Sequence, residues 1–207
     1  MLNYLFENPK LQLDNITCHS GGALGSDTYW ENIGESYGVK TKAYSYKTNY
    51  HTSKNKVEIS DDDYKDGIDE INKANKVLGR YGISKYMNLL ARNWSQVKYS
   101  QQIFAIGFIV EPGGKTPKGY YSKSKFQSVD GGTGYAVQMA INNKKEVYVF
   151  EQNVKSWFRW SYSSHTFVKL ENTPSISCQN FAGIGTREIT TDGLEAIKNV
   201  YSLTFDL

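Results

Sequence analysis

Apolar positions along this chain fall into short runs, separated by polar, glycine-containing stretches and by segments of helical period. Residues 15–19 read as a first strand, and 28–37 as a helix ending at Gly38, a suitable residue just past a helix C-terminus. Residues 39–46 alternate and predict a second strand. The polar loop 47–56 carries His51, read as a solvated surface histidine. Ser60 followed by Asp61, Asp62 and Asp63 signals a helix start whose acids match the helix dipole, with Tyr64, Ile68, Ile71 and Val77 at near-helical spacing. Ser84 opens another helix, 85–99, with Met87, Leu90, Ala91, Trp94 and Val97 as its stripe. Its polar members are Arg92, Asn93 and Gln96. Arg92 and Asn93 face either a crevice or solvent.

Residues 102–110 form the most apolar run and predict a central strand buried on both faces. A long Gly, Pro, Lys, Ser and Tyr segment follows at 111–129, fitting either a lid or a β-arm. Then come a helix-like 135–141 and a strand at 146–150. Trp157, Phe158, Trp160 and Tyr162 follow, read chiefly as packing residues. An edge strand at 166–170, a last strand at 176–183 and a helix at 188–203 complete the chain. Residues 1–13 read as an arm or short helix. Strands alternating with helices imply an α/β fold: a Rossmann-like, doubly wound, mostly parallel sheet with helices on both faces.

Three glycine-rich turns stand out, each leading into a helix. They are Ser20-Gly21-Gly22-Ala23-Leu24-Gly25-Ser26-Asp27, Asp130-Gly131-Gly132-Thr133-Gly134-Tyr135, and Gly183-Ile184-Gly185-Thr186-Arg187-Glu188. Such turns let backbone amides approach an anion at a helix N-terminus. Ligands bind beyond the carboxyl ends of parallel strands, where these turns are expected. Asp27 either caps its helix or accepts a hydrogen bond from a ribose hydroxyl. Arg187 is placed to pair with a phosphate, Asp27 or Asp130 to read a ribose hydroxyl, and Tyr135 or an aromatic at 157–162 to stack on a base.

Composition narrows the classes. The 207 residues suit one α/β domain with a modest loop or lid, and net charge is +3, from 24 basic against 21 acidic residues. That balance is too mild to argue for nucleic acid by itself. No apolar run reaches the ~18 residues of a membrane span, and the start lacks the basic region of a signal peptide. A cytoplasmic protein without membrane attachment is therefore expected. Cys18 and Cys178 have no metal-site spacing and read as core thiols. Neither a metal nor a cofactor is called for.

The three turns together resemble those of the SLOG superfamily of Rossmann-like nucleotide-binding proteins. Residues 20–27 resemble its Gly-Gly-Ala-x-Gly-x-Asp phosphate loop, 130–134 its Gly-Gly-x-Gly loop, and 183–188 its Gly-Ser-Arg loop. The arginine-bearing loop comes last here, which resembles the circularly permuted YpsA-related branch, frequent in phage genomes. The resemblance spans roughly residues 14–205. It implies a nucleotide or nucleotide-derived signal, of the cyclic ADP-ribose type, held by the three loops. A phage-encoded protein of this kind would sequester such a signal in the host cytoplasm and blunt defence. The phosphoribohydrolases of the superfamily carry a catalytic glutamate after the second loop. Here Thr133 is followed by Gly134-Tyr135-Ala136-Val137, with no acid. A nucleotide hydrolase would have to use Asp27, Asp130 or Glu188. A third expectation is DprA-like single-stranded DNA binding, with Lys115, Lys118, Lys123 and Lys125 interleaved with Tyr120, Tyr121 and Phe126 as its only candidate surface. Relatives often self-associate, and no residue pattern here fixes a dimer face.

Overall fold

A computed structural model describes residues 15–206, so the reading of residues 1–13 lies outside the described residues. The chain runs β1 (Thr17–Ser20), α1 (Ser26–Ser36), β2 (Lys40–Ser45), β3 (Lys56–Glu58), α2 (Asp61–Leu78) and α3 (Met87–Lys98), the last entered through a 3-10 turn at Ser84–Tyr86. It continues with β4 (Gln102–Gly107), β5 (Ile109–Val110), β6 (Ser128–Val129), α4 (Thr133–Asn142) and β7 (Glu146–Glu151). It ends with β8 (Ser156–Ser161), β9 (Thr166–Lys169), β10 (Asn180–Gly185) and α5 (Thr191–Phe205).

Eight strands form one sheet in the order β3-β2-β1-β10-β4-β7-β8-β9. The first six are mutually parallel. β8 and β9 add antiparallel at one edge, which places the expected edge strand where it was read. Side chains alternate between two cores, as the strand pleat demands. Ile103, Ala105, Val147, Val149, Ala182 and Ile184 point to the layer of α2, α3 and α4. Phe104, Ile106, Tyr148, Phe150 and Phe181 point to α1 and α5, against Trp30, Ile197, Val200 and Tyr201. The parallel core strands are thus apolar on both faces and covered on both, giving a three-layer α/β fold. Trp157 and Trp160 are 5% and 4% exposed and serve as core.

β1 returns to β2 through α1 on one face, whereas β4 reaches β7 through α4 on the other. The direction of winding therefore reverses between β1 and β4, the arrangement that opens a crevice at the carboxyl ends of a doubly wound sheet. β10, the last strand, fills the place between them.

Several readings change. The run 102–110 is not one strand. Phe108 gives its carbonyl to the Asp130 amide at 2.9 Å, so the chain leaves the main sheet there and β5 pairs with β6 in a separate ribbon. The segment 111–129 is a β-arm, closed further out by a Lys115–Tyr121 bridge. The second glycine turn follows β6 of that ribbon rather than a strand of the main sheet. The last strand occupies 180–185, and the final helix begins at Thr191.

Ser60 behaves as read: its hydroxyl accepts from the Asp63 amide at 3.1 Å, and Gly79, in the left-handed region, ends the helix. Ser60→Ala is expected to cost about 1 kcal/mol in equilibrium unfolding; an unchanged midpoint and slope would contradict this cap. Cys18 is buried and Cys178 half-buried, and neither forms a disulfide. Burial pushes the Cys18 thiol up to about 12, so it stays protonated and unreactive at neutral pH. Among the described residues no helix is long and apolar enough to cross a membrane.

Candidate functional site

The first glycine turn, residues 21–25, joins β1 to α1. A side chain at Gly21 would collide with the Arg92 guanidinium, whose Cζ lies 2.6 Å from the position a Cβ would take. At Gly22, with φ +63°, it would meet the His51 imidazole. At Gly25, with φ +98°, it would meet the Arg187 backbone, with Cα at 2.7 Å. These glycines are needed because the chain's own groups press on the turn from three sides.

Ser20, at the end of β1, donates from Oγ to Glu31 Oε1 at 2.8 Å and accepts from the Gly22 amide at 3.2 Å. The other Glu31 oxygen accepts from Ser53 at 2.6 Å. One turn further along α1, Glu35 accepts from Asn55 at 2.6 Å and pairs with Lys54 at 2.7 Å. The polar loop 47–55 is therefore a strap latched to α1 rather than a solvated excursion.

The strap lays His51 over the turn, which corrects its reading as a surface histidine. His51 Nε2 sits 3.1 Å from the Gly21 carbonyl oxygen, which can only accept, so Nε2 carries the proton. Nδ1 is then a lone-pair acceptor, buried and without a partner among the described residues. Burial lowers the His51 pKa, which keeps the ring neutral at pH 7.

Asp27 does not cap α1; that helix has Gly25 at its cap position and no side-chain cap. Its carboxylate turns inward, 5% exposed. It accepts from the Gly185 amide at 3.1 Å and from the Ala23 amide, so it ties the first turn to the third. Its other oxygen is 3.9 Å from Arg92 Nη1. Burial outweighs these contacts and pushes its pKa up to about 6. The folded state thus keeps a proton that the unfolded chain releases near 3.8, and Asp27 lowers stability increasingly as pH rises from about 4 to about 6. The stability of Asp27→Asn relative to the natural sequence is expected to climb by ~3 kcal/mol across that window and then level off. A pH series of denaturant titrations reads this; a flat difference would contradict it.

Arg92 and Asn93 lie on α3 and are both buried, which rules out the solvent-facing reading. Arg92 is 4% exposed, yet its only hydrogen bond among the described residues runs from Nη1 to Gln96 Oε1, at 3.1 Å. A guanidinium has five N–H donors. Burial disfavours the Arg92 cation, with the nearby Asp27 carboxylate supporting it and Arg187 opposing it. Asn93 Nδ2 donates to the Gly132 carbonyl at 3.3 Å. One helix therefore braces both the first turn and the second.

Arg80 braces the second turn from the far side, donating to the Val129 and Gly131 carbonyls. A trans peptide sets each carbonyl opposite the next amide. Fixing the Gly131 and Gly132 carbonyls therefore aims the Gly132 and Thr133 amides away from Arg80 and Asn93. α4 has no side-chain cap; the Gly134 and Tyr135 amides turn back to the Asp130, Gly131 and Gly132 carbonyls, which leaves the Gly132 and Thr133 amides for a ligand or water. Gly134 is required by packing, since a side chain there would strike the Val129 carbonyl oxygen. Asp130 is half-buried, and its amide holds the Phe108 carbonyl. Tyr135, one of the two alternatives for stacking on a base, is 2% exposed, covered by Arg80 at 5.3 Å and bonded through its hydroxyl to Asn75. It packs; it does not line an open face.

The third motif lies partly in β10 rather than in a turn. Gly183 faces Trp30, and Gly185 faces Ser26, so the space at both is filled by α1. The Thr186 carbonyl accepts from the Ser26 amide at 3.1 Å and from the Ser26 hydroxyl at 2.8 Å. Arg187 is exposed and makes no ion pair among the described residues, and Glu188 is exposed beside it. The buried Gln152 links Glu188 and Thr190 to the end of β7.

Sequence reasoning missed His51, Glu31, Arg80, Gln96 and Gln152. Glu31 and Gln96 had a usable signal, each standing four residues after Asp27 and Arg92 on the same helix face. Among the described residues no group of three or more metal-ligating side chains comes together. Compared with protein-family models, curated proteins and solved structures, the chain matches none.

Proposed function

We propose that this crevice binds a nucleotide or nucleotide-derived signalling molecule through its phosphates, in the manner of a permuted SLOG protein. The observation that carries the reading is Arg92: a buried guanidinium with one hydrogen bond, pressed against the first glycine turn. Buried cations without full hydrogen bonding are costly unless an anion completes them. Arg187, exposed after β10, supplies a second cation, and the Gly132 and Thr133 amides at the start of α4 supply donors. The neutral His51 Nδ1 supplies an acceptor for a ligand hydroxyl such as a ribose provides. Leu24, 79% exposed at the tip of the first turn, takes over the apolar contact to a base that Tyr135 does not offer.

Binding without turnover is the better account. Asp27 is engaged by backbone amides and is almost wholly buried, and no acid follows the second turn. The permuted membership is supported by strand order, because moving β10 to the front of the chain would make the central strand the first one, as in a doubly wound sheet. On this reading the protein removes a cyclic ADP-ribose-type signal from solution, and a phage-encoded copy would thereby silence a defence response. Calorimetric titration with nucleoside mono- and diphosphates, dinucleotides and cyclic nucleotide signals tests it. Saturable binding to at least one class is expected, strengthening below pH 6 for a pyrophosphate diester as Asp27 becomes neutral beside Arg92. No binding across the panel would overturn it.

A further inference from the structure

The β-arm carries a charge pattern that the crevice does not use. Its segment 111–126 holds Lys115, Lys118, Lys123 and Lys125 against one acid, Glu111. That net charge of three equals the +3 of the whole chain, so outside the arm the charges balance. None of these four lysines makes an ion pair among the described residues. Glu111 is itself engaged by Gln127 at 2.5 Å.

Tyrosines stand between the lysines. Tyr120 and Tyr121 are 72% and 71% exposed, and Tyr81, where the arm meets the end of α2, is 82% exposed. The arm is fixed to this site. The Lys125 amide donates to the Val77 carbonyl at 3.0 Å, and Lys123 places its ammonium 4.6 Å from the centre of the Tyr81 ring. Tyr81 and the arm therefore form one surface.

We infer that this surface binds single-stranded nucleic acid, with Tyr81, Tyr120 and Tyr121 stacking on bases and Lys115, Lys118 and Lys123 on phosphates. Exposed aromatic rings interleaved with cations that make no ion pair are what unpaired, unstacked bases on a polyanion require. Duplex would hide its bases from these rings. An anionic membrane would call for an amphipathic helix with inserted Trp, Phe or Leu; this arm is a β-ribbon whose exposed rings are tyrosines with polar tips, and its one Phe, Phe126, stacks on His165 at 4.9 Å.

The test is fluorescence anisotropy with a labelled oligothymidylate, an oligouridylate and a blunt duplex, each of about 20 nucleotides, over a salt series, with anionic vesicles as a fourth probe. Tighter binding of single strands than of duplex is expected; the two single-stranded probes distinguish DNA from RNA as the source. Tyr120→Ala and Tyr121→Ala should each weaken binding about tenfold with little change in salt slope. The combined Lys115→Gln, Lys118→Gln and Lys123→Gln variant should weaken it and lower the slope by about 2. Lys65→Gln with Lys198→Gln, removing exposed paired lysines elsewhere, should change neither. Equal duplex binding, unaffected tyrosine variants, vesicle binding in place of oligonucleotide binding, or no binding at low salt would each overturn the assignment. Crevice ligands play no part in this assay, so it stands or falls separately from the nucleotide reading.

Discussion

Arg92→Met is expected to fold and, on the proposed function, to lose binding of a phosphate-bearing ligand. Methionine keeps an unbranched side chain beneath Gly21 but has no donors, and the cation beside Asp27 disappears. Hydrogen bonds from a charged donor contribute about 1.5–3 kcal/mol each, so loss of one should lower affinity by about 10- to 150-fold. Asp27 would then lack the one cation within 4 Å recorded for it, at 3.9 Å. Its proton would be held to still higher pH, and the neutral acid would remain bonded to the Gly185 and Ala23 amides. Removing one member of a buried pair is more damaging than removing both. The double variant Arg92→Met with Asp27→Asn should therefore be at least as stable as Arg92→Met alone while binding no better. Thermal unfolding and calorimetry on the same samples separate the two effects. A folded Arg92→Met protein with undiminished affinity would remove Arg92 from the site.

Gly183→Ala should be among the most destabilising single-methyl additions in this chain. The new Cβ would lie 2.6 Å from Trp30 Cδ2 and 2.7 Å from Trp30 Cβ. The indole has nowhere to go: it is fully buried, with Phe104, Phe181 and Tyr201 rings at 5.9, 6.2 and 5.6 Å. Overpacking of this kind costs about 1–3 kcal/mol where the neighbours give, and here the upper end is expected. For a chain of this size ~3 kcal/mol corresponds to a fall of about 6–12 °C in Tm. Trp30→Leu in the same background should recover part of the loss, because the clash and the ring go together; purely additive effects would show that the two residues do not conflict. The position also shows that packing, by itself, accounts for the first glycines of this stretch. Gly183 serves the contact of α1 with the sheet, and the exposed part of the motif begins at Arg187.

The layers of the fold were legible because burial on both faces writes itself as uninterrupted apolar strands, and 103–107 and 147–150 show it. The Ser60 cap was legible because its bond is local. The break at Phe108 was not, since Ile109 and Val110 are as apolar as the strand before them. What ends the strand is an amide 22 residues later, at Asp130. The first turn was recognisable as a glycine turn, but the groups that need those glycines come from far along the chain: Arg92 from α3 and His51 from the strap. His51 was misread for the same reason. A polar loop reads as solvated until its Ser53 and Asn55 are seen to reach Glu31 and Glu35 on α1. Arg80, just past the Gly79 that ends α2, gave no signal at all; its partners are carbonyl oxygens, which carry no sequence identity.

The central claim is that the crevice under these turns holds a phosphate-bearing nucleotide ligand. Mass spectrometry of the small molecules released by denaturing the purified protein, with Arg92→Met and Arg187→Ala prepared in parallel, tests it most directly. A nucleotide-class molecule released stoichiometrically from the natural protein, and depleted in both variants, is the predicted result. A molecule without phosphate, or a nucleotide retained equally by both variants, would contradict the account.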